Sequence, residues 1–321
     1  MQPASDDRWD CIVCGSCTVD IIVRPISLHT PIGSSQLHRT EPIVATTGGL
    51  VSNSGAALAR LGMRTLAFSQ VGDDPWGEII RKRYQSLGVD ATGVATNPDH
   101  PSSVTVVMVD SDGERSFAHS QGAPKTMDVA YYRQQLSLFA QSRVMLLGYY
   151  SLLPQLEHDL PELLQEIRST GCLTALDAAG QGGSMSPLDR ILPQLDFYVP
   201  SRNEAEAQTG ERDPERMIRR FRDCGAAGVV GVKLGSEGAL LADASGQLHP
   251  IAPIAPPAPI VDTTGAGDAF YAGLLAGQLL GWSLERSGQL AAAVGAWCTT
   301  GAGASAALPT LEQAMALLEG R

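Results

Sequence analysis

The sequence predicts an α/β fold: a three-layer α-β-α sandwich on a mostly parallel sheet, with a small antiparallel β flap set into it. Three observations carry this. Short apolar runs alternate with segments of helical periodicity along most of the 321 residues, the pattern of parallel strands joined by crossover helices. One stretch, 104–119, breaks the alternation and reads as a hairpin around Asp112-Gly113, a dipeptide suited to a tight turn. Hydrophobic residues make up 44% of the chain, enough for one large core and too many for a disordered chain.

Taken in order, strands are expected at 11–15, 65–71, 144–148, 173–177, 197–199 and 228–234. Helices are expected at 53–61, 75–87, 129–140, 156–169 and 214–224, with a further apolar helical run at 269–282. Ligands of open α/β sheets bind beyond the carboxyl ends of the strands. Residues 15–20, 148–151, 177–183 and 201–206 should therefore share one rim. Segments 19–23 and 37–44 are candidates to pair with the hairpin. The chain then reads as a single domain, 1–321, with a lid drawn from about 19–45 and 101–121. Such a flap would exclude water from a site at the rim; an ordinary extension of a surface sheet would look the same. The proline-rich segment 252–259 must be extended and serves as a connector within the domain.

Composition excludes several functions. With 34 acidic and 23 basic residues the net charge is −11, and no basic footprint for nucleic acid is present. The arginines at 216, 219, 220 and 222 are balanced by Glu211, Asp213, Glu215 and Asp223, as on a solvated helix face. No apolar stretch approaches the ~18–20 residues of a membrane span, and no secretory leader is visible. Six cysteines do not make a disulfide framework, which points to a cytoplasmic, reduced protein. Cys11, Cys14 and Cys17 have a spacing seen in metal sites, but the other cysteines are distant, at 172, 224 and 298. They read as small hydrophobes of a buried first strand.

The most informative stretch is Asp262-Thr263-Thr264-Gly265-Ala266-Gly267-Asp268, which opens the last apolar helix. Backbone N–H groups at a helix start lack helical partners and form a positive pole suited to an anion. A carboxylate beside that pole, Asp268, can take a proton from an alcohol while the pole holds phosphoryl charge. The helix start should keep Asp268 ionised at neutral pH. Helix capping is the competing reading for Asp268, weakened by flanking small residues that admit a ligand to the backbone. Gly48-Gly49 and Asn53 form a second feature, where paired glycines and a side-chain amide could meet hydroxyl groups. Asn203-Glu204-Ala205-Glu206 follows a strand and offers carboxylates for Mg²⁺, or merely an acidic helix start. Lys233-Leu234-Gly235-Ser236-Glu237-Gly238 is a strand leading into a glycine turn. No P-loop or protein-kinase signature is present.

These four features, in this order, resemble the ribokinase family, also called PfkB carbohydrate kinases, over residues 15 to about 309. The resemblance implies a ribokinase-like fold and an ATP-dependent kinase acting on a hydroxymethyl group of a sugar. It implies Asp268 as catalytic base and Gly265, Ala266 and Gly267 as the anion hole. Asp20, Gly48, Gly49 and Asn53 match sugar contacts. Asn203, Lys233, Gly235 and Gly238 match nucleotide contacts, with lysine where several relatives have threonine. Glu206 matches a residue linked to Mg²⁺ through water. Asp262, Thr264, Gly301 and Ser305 sit where relatives often bind a monovalent cation such as K⁺. Relatives often dimerise through their flaps. Where ribokinase has a sugar-contacting glutamate this chain has Tyr149-Tyr150, and it lacks the Gly-Lys-Gly insert of ribokinase, so ribose is not the default acceptor. The two tyrosines either stack on a substrate ring or pack, with packing the preferred reading. A nucleoside acceptor and a non-catalytic sugar or nucleotide sensor are the rival functions. Aromatic residues at 5% argue mildly against a base-stacking pocket.

Overall fold

The computed structural model describes residues 7–29, 37–178 and 184–320. Parts of two expected features, 30–36 of the lid and 179–183 of the strand-end segment 177–183, lie outside the described residues. The chain opens with β1 (Trp9–Gly15), β2 (Thr18–Val23), β3 (Val44–Gly48) and α1 (Leu50–Arg60). Next come β4 (Thr65–Gly72), α2 (Pro75–Ser86), β5 (Val94–Asn97), β6 (Val104–Val109) and β7 (Arg115–Ser120). Two short helices, α3 (Val129–Gln134) and α4 (Leu136–Ala140), lead to β8 (Ser142–Gly148), α5 (Leu160–Ser169), β9 (Leu173–Asp177), α6 (Met185–Ile191) and β10 (Phe197–Tyr198). Then follow α7 (Arg202–Thr209), α8 (Pro214–Asp223), β11 (Val229–Lys233), β12 (Ala239–Ala242) and β13 (Leu248–Ile251). Three helices close the chain: α9 (Ala266–Leu279), α10 (Leu284–Cys298) and α11 (Leu311–Glu319).

Among the described residues the main sheet has nine strands in the order β13-β12-β11-β10-β9-β8-β1-β4-β5. All joins from β11 to β5 are parallel, and the β11-β12 and β12-β13 joins are antiparallel. The carboxyl ends of β1, β8, β9, β10 and β11 therefore share one rim, as expected of this topology. Two apolar clusters cover the two faces. Leu50 and Leu58 of α1, Ile80 of α2, Leu274 of α9 and Leu290 of α10 pack on one. Phe139 of α4, Leu163 and Leu164 of α5 and Phe221 of α8 pack on the other. The helices α9 and α10 approach closely because their contacts are small. A Cβ added at Gly273 would lie 2.8 Å from Ala291 Cα, and one at Gly277 would lie 2.7 Å from Ser287 Cα.

The flap is a second sheet of four strands, β3-β2-β6-β7. The expected hairpin is present as β6 and β7, turning at Gly113, whose φ of +87° only glycine adopts readily. Two details differ from expectation. The β2-β6 join is parallel, so the flap is antiparallel only in its outer joins. The strand expected at 37–44 begins instead at Val44. Thr46 and Thr47 there pair with Asp20 and Val19 across the ladder, a polar match the hydrophobic pattern did not show.

Candidate active site

Two helices that begin on a glycine with positive φ meet at the rim. Gly49 precedes α1 with φ 83°, and Gly265 precedes α9 with φ 77°. Neither helix has a side-chain cap. Side chains are excluded from both positions. A Cβ on Gly49 would lie 2.4 Å from the Ser16 carbonyl oxygen, and one on Gly265 would lie 2.3 Å from Ala304 Cβ. Among the described residues, Ala266 N–H donates to the Thr263 carbonyl and Ala269 N–H to the Gly265 carbonyl, while the Gly267 and Asp268 amides have no carbonyl acceptor. They are the orphan donors of a helix start, directed at the rim.

Asp268 is not a cap. It is 6% exposed, and its carboxylate is held by side chains from elsewhere in the fold. Asn53 Nδ2 donates to Oδ2 at 2.8 Å, and the Tyr149 hydroxyl donates to Oδ1 and Oδ2 at 3.1 and 2.9 Å. Ser54 Oγ donates to the Asp268 carbonyl at 3.2 Å, tying the start of α1 to the start of α9. Burial pushes the Asp268 carboxyl above the ordinary range, and the Asn53 amide, the Lys233 ammonium and the Tyr149 hydroxyl oppose it. The helix start is thus not the largest influence on this carboxyl. Burial outweighs the dipole and gives a stronger base.

Tyr149 reaches Asp268 because its own backbone is left-handed, with φ 58° and ψ 45°, costing about 1–2 kcal/mol for a residue with a Cβ. Its N–H donates to the Asp177 carbonyl at 3.0 Å, which helps to hold that conformation. Packing, the preferred reading of the tyrosine pair, holds for Tyr150, which is 1% exposed within the apolar cluster. Tyr149 packs against the other apolar cluster as well, and its hydroxyl in addition reaches Asp268.

A buried ion pair faces the same helix start. Lys233 Nζ lies 3.2 Å from Asp177 Oδ1, with side chains 11% and 3% exposed. The ammonium is 3.4 Å from where a Cβ on Gly267 would stand and 5.5 Å over the Tyr271 ring. Burial would discharge Lys233, but Asp177, Glu204 and Asp268 together raise its pKa instead. Asp177 is pushed up to about 7 by burial, against the pull of Lys233. Sequence reading missed the role of Asp177, because the Lys233–Asp177 contact spans 56 residues.

The other expected site residues fall into three groups. Asp20 lies across Gly48, where a Cβ would meet its Oδ2 at 2.1 Å, so glycine there makes room for the carboxylate. Burial raises Asp20 to about 6, opposed by a hydrogen bond from Thr105. On α7, Glu206 pairs with Arg212 at 3.1 Å and Asn203 is exposed, so neither joins the Asp268 cluster directly. Gly235 and Gly238 form the β11–β12 turn, with φ 63° and 91°. Asp262 accepts the Thr264 and Gly303 amides at 2.9 and 2.8 Å. Among the described residues no group of three or more His, Cys, Asp or Glu is arranged to hold a metal ion by itself.

A buried carboxylate fixed by an amide and a phenol, next to free helix-start amides and a buried ammonium, suits proton removal from an alcohol with an anion held alongside. Fold and site together define a phosphotransferase with an alcohol acceptor. The chain belongs to the pfkB family carbohydrate kinases, whose pattern matches residues 10–311. It is 30% identical over 257 residues to an uncharacterized sugar kinase of Archaeoglobus fulgidus, covering 78% of this chain and 98% of that one. It is 32% identical to the aminoimidazole riboside kinase of Salmonella typhimurium, covering 83% and 86%. Among solved structures, Arabidopsis thaliana ribokinase complexed with ribose and ATP superposes with a TM-score of 0.82 at 26% identity, covering 97% of this chain and 99% of that one. No helix of the described residues is long and apolar enough to cross a membrane.

Proposed function

We propose that this chain transfers the γ-phosphoryl group of ATP to a hydroxymethyl group of a sugar, with Asp268 as the general base. The observation that carries the reading is beside Asp268. Asn53 Oδ1 is buried and has no hydrogen-bond partner, while its Nδ2 is fixed on the carboxylate. A buried acceptor left open costs about 1–3 kcal/mol unless a ligand supplies a donor. A sugar hydroxyl does so, and places a neighbouring alcohol against Asp268. Asp20, across Gly48 and Gly49 from Asn53, receives further hydroxyls.

The residues present fit the phosphates of ATP. The free amides of Gly267 and Asp268, with Gly265 and Ala266 before them, form the anion hole, and Lys233 adds a fixed positive charge. The glycine turn at Gly235 and Gly238 and the exposed Asn203 border the nucleotide. Mg²⁺ keeps much of its water and is held largely by phosphates, so Glu206, reached through water, is sufficient protein support. The metal supplies neutralisation of charge on the phosphates. Asp268 accepts the acceptor's proton, Tyr149 and Asn53 keep the carboxylate aimed, and the flap excludes water so that water is not phosphorylated instead.

A riboside acceptor is the second reading, favoured by the 32% identity to a riboside kinase. The exposed apolar residues of the lid segments, Ile43, Val44 and Phe117, offer a surface for a homodimer through the lid, which sedimentation would read. All six cysteines are free, which suits a cytoplasmic setting. The test is ATP turnover with Mg²⁺ across pentoses, hexoses, keto-sugar acids and nucleosides. Acceptor-dependent turnover that Asp268→Asn abolishes is the expected result. Ligand binding with no acceptor-dependent turnover would favour a sensor and sink the kinase reading.

A further inference from the structure

Arg115, at the start of β7 in the flap, reaches across to the loop that opens α9. Its Nη2 lies 2.8 Å from Asp262 Oδ2, and its Nη1 donates to the Thr264 hydroxyl. Asp262 is 10% exposed and Arg115 33% exposed, so the pair is partly shielded from solvent. No other flap residue makes an ion pair to this loop among the described residues. The arginine was not marked out by any motif, and 147 residues separate it from Asp262.

The loop is the place where the family resemblance implies a monovalent cation, at Asp262, Thr264, Gly301 and Ser305. The donor set here does not fit one. Asp262 Oδ1 accepts the Thr264 amide at 2.9 Å, and Oδ2 accepts both the Gly303 amide and Arg115 at 2.8 Å. The Thr264 carbonyl lies 3.7 Å from Cys298 Sγ, and the Ala304 carbonyl lies 3.4 Å from the same sulfur. Both Asp262 oxygens and the Thr264 hydroxyl are thus taken by N–H donors, and the two carbonyls face a thiol.

The charge requirement nevertheless exists. The Asp262 carboxylate accepts the Thr264 and Gly303 amides and faces the Arg115 guanidinium, an all-donor setting that suits a charged carboxylate. A fixed negative charge just before the anion hole would repel incoming phosphate unless a cation offsets it. We propose that Arg115 is that cation: its guanidinium takes the place of the monovalent metal ion, so that this chain works without K⁺. Arg115 acts through Asp262 and the loop, as a positioning residue. Because it rides on the flap, it also delivers the charge only when the flap lies against the loop. The proposal rests on the kinase reading for its activity arm alone.

The experiment compares the full-length protein with Arg115→Met and Arg115→Lys, in KCl and in tetramethylammonium chloride at equal ionic strength. Thermal midpoint and turnover are both read. The wild type and Arg115→Lys should be indifferent to K⁺, within about twofold in turnover. Arg115→Met should lose turnover without K⁺ and regain about tenfold with it, the size of a charge-assisted contact restored. Its midpoint should rise in K⁺ while that of the wild type does not. Activation of the wild type by K⁺, a loss in Arg115→Met that K⁺ does not mend, or full K⁺-blind turnover in that variant would each overturn the proposal. If no acceptor is phosphorylated, the kinase reading fails, yet the midpoints still decide this one. Should Arg115→Met not fold, K⁺ calorimetry on the wild type decides: heat of binding at millimolar K⁺ would overturn the proposal and its absence would support it.

Discussion

Two helix starts at the same rim, α7 and α9, are built in opposite ways. At α7 the helix's own side chains close the start. Ser201 Oγ accepts the Glu204 amide at 3.4 Å, and Glu204 Oε2 accepts the Ser201 amide at 2.7 Å, a complete capping box. At α9 the cap position is Gly265, no side chain closes it, and two amides are left open. Both sequences place acidic residues in the first turn, which by itself reads as a stabilised helix N-terminus. The difference lies in where the carboxylate goes. Glu204 turns back onto its own backbone, whereas Asp268 turns away, to Asn53 and Tyr149. A capped start contributes stability, and an uncapped one with a displaced carboxylate is free to bind.

Substitutions can break that contrast, and Asp268→Asn has the largest expected effect: turnover falls roughly 10²–10⁴-fold, the usual range for a general base, while ATP still binds. The same change should raise the thermal midpoint, since an amide needs no proton in a buried site where burial has raised the carboxyl pKa. An active or less stable variant would return Asp268 to the role of cap. Next is Gly265→Ala. The new Cβ meets Ala304 at 2.3 Å and the residue keeps a positive φ, so circular dichroism should show a lower midpoint and turnover should fall with it. Unchanged turnover would mean the amides of α9 hold nothing.

Tyr149→Phe removes one donor to Asp268 and leaves the ring, so a drop of about tenfold in kcat with little change in the acceptor KM is expected. A change confined to KM would make Tyr149 a substrate contact. Smallest is Ser201→Ala at the closed helix, costing about 1 kcal/mol of stability by denaturant titration and leaving turnover within a factor of two. A large loss of turnover there would erase the distinction between the two starts.

Acidity probes the sugar side. Asp20 rises from 3.8 to about 6 on folding because burial disfavours its charge. Between those values the folded chain binds more protons than the unfolded one, so this group adds stability as pH falls through 6 and withdraws it as pH rises. The acceptor KM should climb over the same interval as the carboxylate is lost. Asp20→Asn should flatten both profiles, and profiles that persist in that variant would place the titrating group elsewhere.

The start of α9 was legible because its demands are local. Three small residues and an aspartate at consecutive positions specify open backbone, whatever surrounds them. Gly49 and Asn53 were legible for the same reason, as was the turn at Gly113. Tyr149 was not, since its reach depends on a left-handed backbone that nothing in Gly-Tyr-Tyr-Ser announces. Arg115 and Asp177 depend on strands and helices distant in the chain, and residue type alone does not show such pairs. The short strands β5, β12 and β13 were likewise unmarked, because four residues carry too little periodicity to separate strand from loop.

The parallel join of β2 to β6 reaches beyond the site. The flap is stitched from two lengths of chain, 18–48 and 104–120, and α1, β4, α2 and β5 of the body are threaded between them. It therefore has no single pair of end points at which it could be excised, grafted or exchanged as a cassette. During synthesis its first strand must wait for the sixth, while the intervening body elements emerge and find their own places. A protein of this design inherits its cover and its floor together.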